Sequence, residues 1–181
     1  MPPNRKLKSI NGWIPDTDDE WQQMFAAMET GSDRETAILA AAYLEETLKL
    51  ALSCAFVENT HQAMFEGADA PLNTFAAKIR LAEALAIVGP RTKSRLDKIR
   101  KIRNAFAHSL LPFSFEEEAI QNLSADLADG LPAESNLNFE FDTSGFSAPR
   151  RKYCQACIAL GGDFVRYSFE VGGRTISTFT D

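Results

Sequence analysis

A capping box followed by an unbroken apolar stripe is the feature of this sequence that most restricts its fold. Ser32 and Glu35 have the S-x-x-E spacing in which each side chain satisfies the other residue's free backbone amide at a helix start. The alanines and leucines of segment 37–55 then fall on one face at helical spacing. A long amphipathic helix running to about Val57 is therefore predicted, and its many alanines permit close packing against other helices.

The same periodicity recurs in five further segments, which are 16–31, 72–88, 92–108, 114–130 and the stretch from 147 onward. Ser114 and Glu117 have the spacing of a second capping box. Segments 136–142 and 175–178 instead alternate in the manner of short strands. The sequence predicts an all-α fold, a single bundle of about six helices, with one short β-hairpin as an option near the C-terminal half.

The length of 181 residues is that of one domain with its own core. The expected organisation is a flexible arm at 1–15, a core bundle at 16–129, a loop or short strand at 130–146, and a C-terminal helix and tail at 147–181. No apolar run reaches the roughly 18–20 residues of a membrane span, and the first twenty residues lack a signal-peptide core. With three cysteines, a disulfide framework is not expected. We expect a soluble, cytoplasmic protein.

Charge is distributed unevenly along the chain. The net charge is −6, yet seven Lys or Arg residues and one Asp lie between Arg91 and Arg103, which makes that segment +6. Segment 104–149 contains no Lys or Arg and eight Asp or Glu. Because nucleic acids bind through cations that neutralise phosphates, any polyanion would have to bind at the basic segment. The candidate nucleic-acid-binding residues are Arg91, Lys93, Arg95, Lys98, Arg100 and Lys101.

The remaining reactive residue types favour structural roles. With two histidines and no acidic cluster of metal-ligand spacing, no metal site is predicted, and the glycine pairs match no nucleotide-binding loop, so no cofactor is predicted. Cys154 and Cys157 have the spacing of half a zinc site but lie in a helical pattern, which favours core packing. The triplet 150–152 is interpreted as a solvated helix start, with an extension of the anion-binding surface as the alternative.

Arg103 raises a chemical question. On a helical wheel it points with Ile99 and Phe106, and a buried guanidinium needs a carboxylate, a symmetry mate or a bound anion. Glu45, on the edge of the long helix's apolar stripe, is a candidate partner. His108 lies about 140° farther round the helix, so the two side chains converge only through a distorted helix end or a dimer. A structural ion pair at Arg103, with His108 favoured by the helix dipole, is the alternative interpretation.

The run Arg103-Asn104-Ala105-Phe106-Ala107-His108 resembles the R-x(4–6)-H signature of the HEPN superfamily. A longer resemblance surrounds it, because the run from Asp33 to Glu118, including 72–79, 81–85 and 99–108, is similar to the mannitol operon repressor family. This resemblance implies an all-helical, dimeric fold and a regulatory role. The chain departs from the family in its unusually basic fourth helix and in its acidic segment 119–142.

The HEPN resemblance implies catalytic roles only at the matching positions Arg103, Asn104 and His108. In HEPN nucleases two copies of the motif face each other across a dimer cleft and cut RNA without a metal. The imidazole would accept the proton of a 2′-hydroxyl, the guanidinium would stabilise the developing negative charge, and the amide would position either group.

Two functional hypotheses follow. The first is a non-catalytic transcriptional regulator, a helical homodimer that acts through protein contacts or a limited nucleic-acid contact at the basic helix. The second is a metal-independent endoribonuclease that uses Arg103 and His108 across a dimer cleft. The longer resemblance and the overall acidity favour the regulator.

Overall fold

The computed structural model of the chain describes residue 15 and residues 17–56, 61–131 and 141–172. Within these ranges the chain forms α-helices and no β-strand, which confirms the predicted all-α fold. The helices are α1 (Asp18–Thr30), α2 (Asp33–Ser53), α3 (His61–Phe65), α4 (Phe75–Ala84), α5 (Pro90–His108), α6 (Glu118–Ser124) and α7 (Ala148–Gly172). The sequence did not predict α3, because five residues are too few to show a helical period.

The predicted capping box at the start of α2 is confirmed. The Ser32 backbone N–H donates to the Glu35 carboxylate at 2.7 Å, and the Glu35 N–H donates to the Ser32 hydroxyl at 3.3 Å. These two bonds satisfy amides that have no partner inside the helix. At α1 the cap is Thr17, whose hydroxyl accepts the Glu20 N–H.

The second predicted capping box is wrong. The Ser114 hydroxyl accepts the N–H of Glu116, and Glu117 is itself the N-cap of α6 without a side-chain cap bond. The reason is tertiary: Phe115 is fully buried and its N–H donates to the Asp33 carboxylate at 3.0 Å, which draws the start of the segment into the core.

Three helices end earlier than the periodicity predicts. Helix α2 ends at Ser53 and not near residue 57, and α6 ends at Ser124, although Leu127 in the following turn is still buried. Helix α4 ends before Ala86, which adopts a left-handed φ of 55°. Apolar spacing alone cannot locate these ends, because turn residues also contribute to the core.

The short strand predicted at 136–142 is not present in its described part, and residues 132–140 and 175–178 lie outside the described residues. Phe141 is in irregular backbone. Its ring packs against the rings of Phe25 and Phe146, and the centroid-to-centroid distance is 5.8 Å in each case. The apolar residue at position 141 therefore serves aromatic packing and not strand pairing.

Helix α2 is the centre of the bundle. It packs against α1, α4, α5 and α7, and its contact with α7 is the most extensive. Gly161 makes this closeness possible, because a Cβ at that position would lie 2.3 Å from a ring carbon of Tyr43. The glycine pair 161–162 therefore lies within a continuous helix, where Gly161 provides room for an aromatic ring.

Arg150 joins α7 to the junction of α1 and α2. Its guanidinium donates to the carbonyl of Gly31 and the hydroxyl of Thr36, both at 2.8 Å, and pairs with Asp33 at 3.0 Å. It also lies 4.0 Å from the centre of the Phe146 ring. The interpretation of segment 150–152 as a solvated helix start is wrong for Arg150, because its hydrogen bonds and its ion pair reach residues more than a hundred positions away.

Replacing Gly161 with alanine should destabilise the protein by roughly 1–3 kcal/mol, because the new methyl group overlaps the Tyr43 ring and forces both helices to shift. Urea unfolding followed by circular dichroism measures the change. Gly145→Ala is the matched control, since a Cβ at that position meets nothing within 4 Å. Equal stability of the two variants would contradict the close packing described here.

Replacing Ala86 with glycine should stabilise the protein by about 0.5–1 kcal/mol, because glycine adopts a positive φ without the steric penalty of a Cβ. Ala84→Gly, at the exposed last residue of α4, should instead destabilise by less than about 1 kcal/mol, the cost of glycine in a helix interior. Thermal and urea unfolding of both variants tests the opposite signs, and a loss of stability in Ala86→Gly would contradict the left-handed turn.

Candidate functional site

Arg103 is on α5, its side chain lies against α2, and this side chain is about one-third exposed. One terminal nitrogen is 3.7 Å from the Glu45 carboxylate on α2, and the other donates to the Asn104 side-chain oxygen at 3.0 Å. The predicted partner Glu45 is therefore confirmed. Both terminal nitrogens of the guanidinium therefore have a partner, while the side chain remains about one-third exposed to solvent.

Glu45 has a second and closer cationic partner. Lys78 of α4 donates to the other carboxylate oxygen at 2.6 Å, and this lysine is only 5% exposed. The carboxylate thus joins α2, α4 and α5. Sequence reasoning missed Lys78, although its spacing to Phe75 and Ala82 places it on the apolar face of its helix.

Glu46 lies beside Glu45 but is in a different electrostatic environment. Burial raises the pKa of its carboxyl above the ordinary value, and the neighbouring charge of Glu45 acts in the same direction. The cations of Lys49 and Lys78 oppose this shift. Two adjacent acidic residues on one helix are therefore placed differently, one between two cations and the other largely desolvated.

His108 is the last residue of α5 and is exposed. The helix continues to this residue, and the Ser109 N–H still bonds to the Ala105 carbonyl. On such a helix the side chains of positions 103 and 108 point about 140° apart. One copy of the chain therefore does not bring Arg103 and His108 onto a common atom.

The basic residues of α5 are mostly occupied by groups of the same chain. Arg91 and Arg95 both donate to the Asp129 carbonyl, and Lys98 binds the Asp126 carboxylate at 2.6 Å. The Lys98 hydrogen bond holds the pKa of Asp126 below its ordinary value. The acidic segment after α6 thus folds back onto the basic helix.

Two further cations of α5 have acidic neighbours. Lys93 lies 3.6 Å from Asp97 and 3.8 Å from Glu83, and Arg100 lies 3.5 Å from Asp97. Lys101 is exposed. Glu83, Asp126 and Glu45 are the carboxylates from outside the segment that pair with it, and Glu45 is shared with Lys78. At most half of the charge of +6 counted along the segment is therefore offset in three dimensions.

A shallow groove of about 390 Å³ runs along the same helix, between α5 and the residues that flank it. Lysines and carboxylates alternate on its walls. Its lining consists of Glu83, Pro90, Lys93, Ser94, Asp97, Lys98, Lys101 and Leu123. The mixture of charges distinguishes it from a purely cationic phosphate channel.

The two cysteines of α7 are core residues. Cys154 and Cys157 are fully buried, and burial raises the pKa of the Cys154 thiol to about 12. This confirms the interpretation as core packing, because a metal ligand or redox thiol must be available as the thiolate. Among the described residues there is no cluster of three His, Cys, Asp or Glu side chains able to hold a metal ion.

None of the helices in the described ranges combines the length and the apolar character that a membrane crossing requires.

Comparison with known proteins gives one informative result. No family model matches the chain, and no curated protein matches its sequence. The fold is similar to a chain in the X-ray structure of the MtlR–HPr complex from Escherichia coli, with a TM-score of 0.53 and 15% sequence identity. The match covers 81% of this chain and 96% of that chain. At this identity the likeness establishes a shared helical fold.

Replacing Glu45 or Glu46 separately with glutamine should change the free energy of unfolding at pH 7 in opposite directions. Glu45→Gln leaves the buried Lys78 without its carboxylate and should lower the free energy of unfolding by about 1–3 kcal/mol. Glu46→Gln removes a largely desolvated carboxylate and should raise it. Urea unfolding of both variants tests the two signs.

The pH dependence checks the second effect. Because the folded-state pKa of Glu46 is raised, its contribution to stability is fully present below the unfolded-state pKa and is lost as the pH rises through the folded-state pKa. The advantage of Glu46→Gln should therefore disappear near pH 4. An advantage that is equal at pH 4 and pH 7 would contradict the desolvation described here.

Proposed function

We propose that this chain is a regulator of the mannitol operon repressor type, which acts as a helical homodimer through protein contacts. The observation that carries the proposal is the fold likeness to a chain of the MtlR–HPr complex, which spans nearly all of that chain. MtlR is a mannitol operon regulator, and the run from Asp33 to Glu118 resembles the same family. The regulatory role and the protein partner are our inference from this likeness.

The charges of α5 support protein contacts over a broad nucleic-acid contact. Sequence-independent binding to a phosphate backbone draws on lysines and arginines that are free to displace counterions. Here Arg91, Arg95 and Lys98 are bound to the segment that follows α6. A nucleic acid would have to compete with these internal partners, whereas a protein surface can match a mixed charge pattern.

The alternative function is a metal-independent endoribonuclease with Arg103, Asn104 and His108 as catalytic residues. The observation in its favour is that Arg103 is oriented by Glu45 and Asn104 yet remains one-third exposed. A guanidinium in that state is able to contact a phosphate. The straight end of α5 opposes catalysis within one protomer, so this function requires His108 from a second copy.

The regulator proposal predicts binding to the HPr protein of the same organism. Isothermal titration should give a saturable isotherm with one HPr per protomer, and retention of a mixed RNA pool should be weak at 50 and at 200 mM salt. The reverse result, no binding of HPr together with RNA retention that falls at least 10³-fold between those salt concentrations, would contradict the proposal.

The ribonuclease alternative is tested by incubating the purified protein with transfer RNA and the RNA pool in EDTA. We expect no cleavage. Cleavage that disappears in both Arg103→Ala and His108→Ala, while circular dichroism shows both variants folded, would replace the regulator with the ribonuclease. Arg166→Ala is the control, because it removes an exposed arginine on α7, outside both the R-x4-H motif and the basic helix.

A further inference from the structure

Two arginines of α5 converge on one neutral oxygen atom. The Asp129 carbonyl accepts a hydrogen bond from Arg91 at 3.0 Å and another from Arg95. In the described part of the chain, neither guanidinium forms an ion pair with a carboxylate. Two positive charges therefore share a single carbonyl oxygen, and no anion in contact with them neutralises either charge.

Arg95 is buried, which makes the lack of a contacting anion costly. The residue is only 8% exposed. Burial lowers the pKa of its guanidinium below the ordinary value, and the charge of Arg91 acts in the same direction. The carboxylates of Asp126 and Asp129 oppose this shift, but the Asp126 carboxylate is already bound by Lys98. A guanidinium has five N–H donors, so a buried one that shares a single acceptor is stabilised when an anion accepts its remaining hydrogen bonds.

The turn 125–130, which carries the shared carbonyl, is held in place by two helices. Lys152 of α7 donates to the Ala125 carbonyl at 2.6 Å, and Lys98 of α5 binds the Asp126 carboxylate at 2.6 Å. The side chain of Leu127, in the middle of the turn, is fully buried. The fold therefore fixes the backbone against which the two guanidinium groups lie.

The Arg91 side of this arginine pair is open to solvent. Arg91 is exposed, and the residue beside its guanidinium is Gly130, which has no side chain. A Cβ at Gly130 would lie 3.9 Å from one terminal nitrogen of Arg91 and 4.0 Å from the other. Gly130 also has a φ of 70°, which favours glycine at this position. A small anion can therefore approach the pair without meeting a side chain of residue 130.

We propose that Arg91 and Arg95 form a binding site for one phosphate group, either inorganic phosphate or the phosphate of a small monoester. Phosphate oxygens accept hydrogen bonds from guanidinium groups in a bidentate manner. A phosphomonoester carries a charge of about −1.5 to −2 at pH 7, which matches two arginines. Helix α5 begins at Pro90, and its N-cap Gly89 makes no side-chain cap bond, so the positive end of the helix dipole adds to the attraction.

The carboxylates around the site favour a small phosphate over a nucleic acid. Asp126 and Asp129 are exposed beside the two arginines. A nucleic acid that placed one phosphate in the site would bring its neighbouring phosphates toward these carboxylates, and like charges repel. A small monoester has no neighbouring phosphates. The site lies apart from the R-x4-H motif, and the inference does not rest on the proposed function.

The test is isothermal titration of the full chain with inorganic phosphate and with glycerol 3-phosphate at constant ionic strength, together with thermal unfolding at each ligand concentration. The parent should bind about one phosphate per protomer, and its melting temperature should rise to a plateau. Arg91→Gln should weaken the affinity at least about tenfold, because it removes one of two charged donors, and the exposed side chain can be changed without opening the core. Arg91→Lys keeps the charge without the planar fork and should restore only part of the affinity. The matched control is Arg166→Gln, which removes an exposed arginine on α7.

The possible results distinguish this site from general effects of salt and from nucleic-acid binding. Saturable binding of both phosphates that is lost in Arg91→Gln and kept in Arg166→Gln supports the site. No binding, or an equal rise in melting temperature in the parent and in Arg91→Gln, overturns it. Retention of the mixed RNA pool that requires Arg91, without binding of either small phosphate, replaces it with a nucleic-acid contact.

Discussion

The close approach of α2 and α7 is the constraint on which the other packing depends. Tyr43 fills the space that a side chain at Gly161 would occupy, and the hydroxyl of Tyr153 donates to the Ala37 carbonyl at 2.8 Å from the opposite helix. With these two helices joined over much of their length, α1, α4 and α5 have one central surface to pack against. Arg150 of α7 adds a further link, because its guanidinium donates to the carbonyls of Met28 and Gly31, near the junction of α1 and α2.

The uneven distribution of charge along the chain has a folding role. The basic helix α5 and the acidic segment after α6 are adjacent in the fold, and Lys98 forms an ion pair with Asp126 at 2.6 Å. Arg91 and Arg95 both donate to the Asp129 carbonyl, which lies beyond the end of the short helix α6. The positive charge of segment 91–103 is thus partly neutralised by carboxylates of the same chain. The surface is therefore less suited to a nucleic acid than the sequence alone indicates.

The two ends of the R-x4-H motif are in different surroundings. Arg103 makes contacts that hold helices together, whereas His108 is exposed. Arg103 is tied to Glu45, which also neutralises the buried Lys78, whereas His108 and the residues after it face solvent. The arginine therefore contributes to holding α2, α4 and α5 together, whatever further role it has. Any chemistry that needs both side chains on one atom depends on association of two copies, because α5 keeps its helical geometry to its end.

Local pattern and spacing in the sequence determined that six of the seven described helices form, though not where each ends, and determined the capping box at Ser32, because both depend on contacts within four residues. The partnership of Arg103 with Glu45 was one of the options that the sequence offered, since an inward-facing guanidinium needs a carboxylate, a symmetry mate or a bound anion. Only the tertiary structure decided that Arg150 joins α7 to the start of α2, that Phe115 displaces the second capping box, and that the Asp126 carboxylate and the Asp129 carbonyl bind the basic helix. Each of these contacts joins residues that are distant in sequence and that the bundle brings together. The contribution of a charged or aromatic side chain to stability depends on those neighbours, which its position along the chain does not reveal.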